Sequence, residues 1–331
     1  MKNITASLLL LAVLAASVLI SVMLGGSRLG FDQVFYGLTH PFAADTVSTI
    51  IWQIRLPRIL LGIIIGMGLA SSGCAFQGML RNPLADPYTL GISGGAAFGV
   101  AAALVFDFVK ISVFFVPLFA FAGASLSVII VYFVSIRKGF STHTLILTGV
   151  IIGFIFSSLV LLLYAVSSPE KVQPAIVWLM GDLSSTDMPM IKSAAAYMAL
   201  GLILLFAFTR ELDLLTMGEE KAAQLGVRVE FTKKAIFLTA SFITATCVAS
   251  AGVIGFVGLV VPHFMRHLYG PKHRFLMVAS AIGGAIFLIL CDAAARTIMA
   301  PVELPVGVIT GFVGGIVFLF FLARSAKHEV F

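Results

Sequence analysis

Long apolar stretches without charged residues dominate the chain. A membrane-spanning helix needs about 20 apolar residues to cross roughly 30 Å of hydrocarbon. Eight uncharged windows of near that length are Ile4–Leu24, Ile59–Leu80, Tyr88–Phe106, Ile111–Ile136, Thr144–Ser168, Ser193–Thr209, Phe275–Cys291 and Leu304–Ala323. Each of these windows predicts one membrane-spanning helix.

A ninth window, Ala235–Met265, is too long for one such helix and rather short for two. It gives nine spans if it forms one helix. It gives ten if it breaks at Gly252, Gly255 and Gly258.

The distribution of Lys and Arg distinguishes the two topologies, because cytoplasmic loops carry an excess of both. With the N-terminus inside, nine spans place ten of the 21 Lys and Arg inside and eleven outside, whereas ten spans place fourteen inside and seven outside. The count therefore predicts ten spans with both termini cytoplasmic. It places Lys272 and Lys327 inside and Arg55, Arg58 and Arg296 outside.

The composition excludes a soluble fold. Hydrophobic residues make up 60% of the chain and charged residues 11%, and the mean hydropathy is +1.10. The net charge of +6 lies mostly in predicted cytoplasmic loops, so it reflects topology rather than nucleic-acid binding. Cys74, Cys247 and Cys291 fall within spans and are expected to act as small apolar residues. The first apolar stretch exceeds the 7–15 residues of a signal-peptide core, which favours an uncleaved first span.

Few ionisable residues fall inside the predicted spans. Asp292 and Arg296 are four residues apart and share a helix face, which favours a local ion pair over a proton-coupling role. His263 and His267 share the same spacing but lack a third ligand, so a metal site is not expected. The many closely spaced glycines favour tight helix packing, with Gly91–Gly99 as an alternative pathway lining.

A polar cytoplasmic segment, Leu212–Val227, contains helix-end signals. Thr216 and Glu219 have the spacing of a capping box, and Gly226 is a suitable C-terminal stop. The pattern predicts a helix of about ten residues between two spans, too short and too polar to cross the membrane. Such a rigid helix suggests a contact for a cytoplasmic partner.

Two other polar segments leave alternatives open. Arg55 and Arg58 flank Pro57 at the start of the second span; with Arg296 they either anchor helix ends at headgroups or form a basic outer rim that binds carboxylates. The Arg81–Tyr88 turn, with Asn82 and Asp86 as cap residues, is either a tight connection or a closure of the inner mouth of a pathway.

Together these motifs resemble the FecCD/BtuC family, the permease subunits of type II ABC importers for iron siderophores, haem and cobalamin. The motifs that carry the resemblance are Arg55–Arg58 (RLPR), Arg81–Pro87 (RNPLADP), Leu90–Gly94 (LGISG), Trp178–Gly181 (WLMG), Gly218–Gly226 (GEEKAAQLG), Gly252–His263 (GVIGFVGLVVPH) with Arg266, and Glu303–Gly307 (ELPVG). They run in order over nearly the whole chain. Gly314-Gly315-Ile316 stands where the family usually has Gly-Ala-Pro.

The resemblance implies an all-α integral membrane fold of about ten transmembrane helices, one permease domain over residues 1–331. It also implies a homodimer or close heterodimer, two cytoplasmic ATP-binding subunits, an external substrate-binding protein, and a location in a bacterial or archaeal cytoplasmic membrane. The chain itself lacks a P-loop motif, so ATP and Mg²⁺ are expected on the partner, with no cofactor bound here.

The resemblance assigns residues to four roles. A coupling helix over 216–226 would contact the ATPase through Thr216, Gly218, Glu219, Glu220, Ala222, Leu225 and Gly226. The cytoplasmic gate would include Asn82, Leu84, Ser141, Thr142 and His143. The arginines that dock the binding protein would be Arg55, Arg58 and Arg296, and the pathway would be lined by Gly91, Ser93 and Gly94.

The expected function is therefore passage of a metal chelate from a binding protein into the cytoplasm. Iron chelates are favoured over cobalamin by family frequency alone. An ion-coupled secondary transporter is the alternative, but the sequence shows no unpaired acid at membrane depth. A membrane enzyme would need convergent His, Asp or Cys groups, and none is evident.

Overall fold

The computed structural model describes residues 2–25, 29–41, 43, 45–184 and 188–325, and these residues form helices without a β-strand. Lys327, predicted to be cytoplasmic, lies outside the described residues. The α-helices are α1 (Lys2–Met23), α2 (Phe31–Thr39), α3 (Thr46–Thr49), α4 (Leu56–Leu80), α5 (Ile92–Val105), α6 (Phe115–Ile136), α7 (Thr142–Ala165), α8 (Pro169–Leu179), α9 (Met188–Ala207), α10 (Thr209–Thr216), α11 (Glu219–Gln224), α12 (Val229–Ala251), α13 (Val257–Tyr269), α14 (His273–Thr297) and α15 (Val306–Ser325). A π-helix joins α3 to α4 (Ile50–Arg55), and 3₁₀ turns cover Pro87–Leu90 and Phe108–Lys110.

Six helical segments are long and apolar enough to cross a membrane: Thr46–Leu80, Phe115–Ile136, Thr142–Ala165, Met188–Ala207, Val229–Ala251 and His273–Thr297. Shorter apolar helices cover Ser7–Met23, Ile92–Val105 and Val306–Phe321. The chain is thus an all-helical, multi-pass membrane protein. The total of ten spans stays a prediction.

The long ninth window is interrupted, as the glycines predicted. Helix α12 ends at Ala251 and α13 begins at Val257. Gly252 has φ +69°, which L-residues rarely adopt, and a Cβ there would lie 2.3 Å from the carbonyl oxygen of Trp178. Gly252 is therefore required at the break, whereas Gly258 already lies within α13.

The core is built around α4, in which only Met67 is not buried between Ile65 and Leu80. Small residues allow this burial by bringing backbones together. A Cβ on Gly66 would lie 2.3 Å from the oxygen of Gly284 in α14, and a Cβ on Gly73 would lie 1.9 Å from that of Gly258 in α13. The predicted packing role of the glycines is confirmed at these crossings.

The cysteines are buried as the sequence predicted, and the histidine pair packs against an aromatic side chain. Cys74, Cys247 and Cys291 are buried free thiols. The rings of His263 and His267 are 5.2 Å apart and both pack near Phe321. Among the described residues, no cluster of three His, Cys, Asp or Glu side chains could hold a metal ion.

Candidate functional site

A cavity of about 580 Å³ lies between α5 and α7, near the break that follows α12. The three residues predicted to line a pathway, Gly91, Ser93 and Gly94, are in its wall. The opposite wall contains residues of α7, among them Gly149, Gly153 and Ser157, and Val253 lies at the break. The structure thus brings the LGISG motif and the start of the GVIGFVGLVVPH motif to one cavity.

Glycines shape this cavity in two ways. Gly91 has φ +80°, and a Cβ there would lie 2.9 Å from the oxygen of Gly149, so α5 begins in backbone contact with α7. A Cβ on Gly153 would meet its nearest atom only at 3.8 Å. Gly91 and Gly149 therefore pack helices, and Gly153 leaves open space. Pathway lining by Gly91–Gly99 stays a prediction.

The described residues that line the cavity carry no charge. Their polar groups are hydroxyls, including those of Ser93, Ser157 and Tyr164, and the remaining surface is mostly apolar. A wall of this kind contacts a large ligand without a counter-ion. It offers no carboxylate for proton or ion coupling.

The Arg81–Tyr88 turn has the caps that the sequence predicted. Oδ1 of Asn82 accepts a hydrogen bond from the backbone N–H of Leu84 at 2.9 Å, and Oδ1 of Asp86 accepts one from that of Tyr88 at 2.8 Å. The hydroxyl of Tyr88 accepts from the N–H of Ile254 at 3.3 Å, which ties the turn to the break after α12. Burial raises the pKa of Asp86 to about 6, against the opposing effect of the Tyr88 N–H.

The other predicted gate residues lie at the start of α7. Oγ of Ser141 accepts from the N–H of Thr144 at 3.3 Å and caps the helix, and His143 is exposed. Thr142 has a buried hydroxyl without a hydrogen-bond partner among the described residues. In the described structure no hydrogen bond joins this segment to Asn82 or Leu84, although α7 packs directly on Leu90 through Gly149.

The predicted capping box at Thr216 and Glu219 is wrong. Thr216 is the last residue of α10, and its hydroxyl donates to the carbonyl of Asp213 at 2.7 Å. Gly218, with φ +116°, is the N-cap of α11 instead. Glu219 accepts from Nζ of Lys233 at 2.9 Å, so its carboxylate is engaged elsewhere. The spacing was right for a box, but Thr216 is helical and cannot occupy an N-cap.

The predicted single helix of about ten residues is in fact two short helices, with α11 covering only Glu219–Gln224. Its predicted end is confirmed: Gly226 has φ +88°, and the N–H of Val227 donates to the carbonyl of Ala222 at 3.0 Å. Glu220 and Leu225 are exposed, whereas Ala222 is fully buried. The solvent-exposed face of this segment is therefore available to a partner, and Ala222 packs against the rest of the protein.

A buried histidine that sequence reasoning missed fixes α10 to α14. Oδ1 of Asp213 accepts from both the backbone N–H and Nδ1 of His273, each at 2.7 Å. Burial would raise the pKa of Asp213, but the two hydrogen bonds from His273 hold it below its usual value. A lone histidine after Lys272 gives no sequence signal of this pairing.

The expected exposed basic rim is contradicted by the structure. The relative exposures of Arg55, Arg58 and Arg296 are 3%, 6% and 3%. Their three-residue spacing does put Arg55 and Arg58 on one face, but that face meets α1 and α14 rather than solvent. Both interpretations of these arginines assumed accessible guanidinium groups.

Arg58 and Arg296 instead belong to a buried network centred on Asp292. Nε of Arg58 donates to one Asp292 oxygen at 2.9 Å, and Nε of Arg296 lies 3.0 Å from the other. Nη1 of Arg58 also pairs with Glu303 at 2.6 Å. The local Asp292–Arg296 ion pair that the spacing favoured is confirmed, within a larger cluster.

The same network ties down the end of α1. Nη1 of Arg296 donates to the carbonyl of Leu24 at 2.9 Å, and Nη2 to Oγ of Ser21 at 2.8 Å. Nη1 of Arg55 donates to the carbonyls of Val22 and Met23. The last carbonyls of a helix have no partner within it, so these arginines satisfy them.

Comparison with known proteins agrees with the arrangement of motifs. The model of a family described as the FecCD transport family matches residues 12–324. The hemin transport system permease protein HmuU of Yersinia pestis is 37% identical over 316 residues, which cover 94% of each chain. The cobalamin import system permease protein BtuC of Halobacterium salinarum is 41% identical over 279 residues, 84% of this chain and 74% of that one. A solved structure of an inward-facing metal-chelate type ABC transporter has a TM-score of 0.85 and 31% identity, covering 95% of this chain and 97% of its own.

Proposed function

Because the chain belongs to the FecCD transport family and is a permease subunit of an ABC importer, we propose that its cargo is a metal chelate delivered by an external binding protein. The observation that carries the proposal is the uncharged cavity of about 580 Å³ between glycine-rich helices. Ligand sites of about 300–1,000 Å³ suit compact organic molecules, and an uncharged wall suits a chelate whose ligands already neutralise the metal.

The class of chelate is the finer part of the proposal. Relatives at similar identity are named for hemin and for cobalamin. We favour an iron chelate, with a corrinoid as the second candidate, on family frequency alone. No described cavity residue carries a charge or a metal ligand that distinguishes the two.

The proposed assembly contains two permease copies, two ATP-binding subunits and one binding protein in a cytoplasmic membrane. ATP and Mg²⁺ belong to the ATP-binding subunits, and this chain binds no cofactor of its own. We propose the exposed face of 216–226, including Glu220 and Leu225, as the ATPase contact. Asn82 and Leu84 with Ser141–His143 are proposed as parts of the cytoplasmic gate.

Binding-protein docking on Arg55, Arg58 and Arg296 also stays a proposal, and their burial sets its conditions. Arg58 already binds Glu303, whose side chain is 42% exposed. A carboxylate of the binding protein would therefore reach Arg58 only by replacing Glu303.

Transport in proteoliposomes tests the function. The permease is reconstituted with its ATP-binding subunits, and its binding protein is loaded in turn with a ferric siderophore, haem or cobalamin. We expect ATP-dependent accumulation of one of these chelates and no uptake driven by a proton or sodium gradient alone. Gradient-driven uptake without ATP would instead identify a secondary transporter.

A further inference from the structure

Lys233 joins two segments that are far apart in the sequence. Its side chain is only 2% exposed, and its ammonium donates to Glu219 Oε1 at 2.9 Å and to the carbonyl of Phe140 at 2.7 Å. Glu219 is the first residue of α11, and Phe140 immediately precedes Ser141, the N-cap of α7. We propose that Lys233 is a positioning residue that makes the 139–141 turn follow movements of α11.

The Phe140 end of this bridge is held firmly. Phe140 has φ +54°, an uncommon conformation for a residue other than glycine, and Gly139 before it has φ +68°. The Phe140 N–H donates to the carbonyl of Ser135 at 2.9 Å, and its ring packs edge-on against Phe237 at 5.5 Å. Because such a backbone persists only when its surroundings hold it, a pull on the Phe140 carbonyl moves the turn as a unit.

The Glu219 end must follow as well. A buried ammonium group needs an opposite charge as well as an acceptor, and Glu219 supplies the one carboxylate that pairs with Lys233 among the described residues. Lys233 therefore cannot release Glu219 without a replacement. On α12, Lys233 stands in line with Ile236, Phe237 and Ala240, all fully buried. Its neighbour Lys234 is 24% exposed, and among the described residues it pairs only with Glu230 of the same helix, so it links no second described segment.

The 139–141 turn also positions one wall of the cavity. Helix α7 runs without interruption from Thr142 to Ala165 and carries Gly149, Gly153 and Ser157. A displacement at its N-cap is therefore transmitted along a rigid helix to the cavity. This inference rests on the proposed function, because the contact of α11 with the ATPase is itself proposed.

The test compares Lys233→Met with the matched control Lys234→Met in the reconstituted permease–ATPase complex. Backbone hydrogen exchange is followed in peptides covering 219–226 and 138–145, with and without trapped nucleotide. In the parent complex we expect hydrogen exchange to change in both peptides when nucleotide is trapped. In Lys233→Met the change at 219–226 should persist and the change at 138–145 should disappear. Chelate transported per ATP hydrolysed should fall by about two- to thirtyfold, the range for residues that couple two sites, and stay unchanged in Lys234→Met.

Each alternative result has a distinct meaning. If 138–145 still responds in Lys233→Met, the bridge does not transmit movement and the inference is overturned. If neither peptide responds in the parent complex, the ATPase contact at α11 fails instead. Should Lys233→Met not assemble, Glu219→Gln removes the ion pair but leaves the bond to Phe140, and it should still weaken the response of 138–145; an undiminished response would contradict the proposal.

Discussion

Asp292 binds two buried guanidinium groups through its two carboxylate oxygens, at 2.9 Å to Arg58 and 3.0 Å to Arg296. Asp292→Asn keeps the shape of the side chain but removes the negative charge that two buried guanidinium groups share. Removing one partner of a buried ion pair costs about 3–5 kcal/mol, so we expect a large loss of stability in thermal unfolding of the detergent-solubilised protein. Glu303→Gln, at the 42% exposed carboxylate, is the control and should cost about 0–1 kcal/mol. Equal losses in both variants would contradict a central role for Asp292.

Asp86 is expected to make the stability of the protein depend on pH. Its folded pKa of about 6 lies above the ordinary 3.8, so the folded protein binds a proton more readily than the unfolded chain. The free energy of unfolding should therefore rise as the pH falls from 7 towards 4, and this gain is lost as the pH rises through about 6. Asp86→Asn keeps an oxygen for the Tyr88 N–H but cannot titrate. It should therefore make the unfolding temperature less dependent on pH between pH 5 and 7. An unchanged slope would assign the pH dependence to other groups.

Among helices, the crossing of α4 and α14 depends on the absence of side chains at Gly66 and Gly284. Gly66→Ala places a Cβ 2.3 Å from backbone oxygen, which only a shift of the helices can relieve, and overpacking of this kind costs about 1–3 kcal/mol. Gly311→Ala in α15 is the matched control, since nothing lies within 4 Å of its Cβ position. Thermal unfolding should show a clear loss for the first variant and little change for the second. Similar values for both would mean that the α4–α14 crossing tolerates separation.

At the same scale, the elements show what the sequence can and cannot predict. Apolar windows identify the long helices because hydrophobicity is a local property of the chain, and Gly252 marks the break because its conformation is also local. The neighbours of a helix face are not a local property. Spacing shows that Arg55 and Arg58 share a face, but it does not show which helix that face contacts. Lys233 could have been recognised from its register with Ile236, Phe237 and Ala240, whereas Lys234 falls outside it. Thr216 shows that a capping spacing does not decide on which side of a helix boundary a residue lies.

For the whole molecule, the break at Gly252–Phe256 bears on topology. If α12 and α13 both cross the membrane, the loop that contains Lys272 is cytoplasmic and so is the N-terminus. The endogenous thiols are buried, so a cysteine at position 272 provides the accessible label. Lys272→Cys should react with a membrane-impermeant maleimide only in inside-out vesicles. Lys171 follows the fifth predicted span, so an N-terminus inside places it outside. A cysteine there is the control and should react only in right-side-out vesicles. Labelling of position 272 from the outside would reduce the topology to nine spans.

The Arg58–Asp292 pair also has a consequence for how the protein is made. The two residues are 234 positions apart in the chain. At about 5–20 residues per second, a ribosome needs roughly 12–47 s to travel from one to the other. Throughout that interval the guanidinium group of Arg58 in α4 is already synthesised, and the Asp292 carboxylate that balances it does not yet exist. The Arg58 end of α4 can therefore reach its final arrangement only near the end of translation, and a chain released early would leave this cation without its carboxylate.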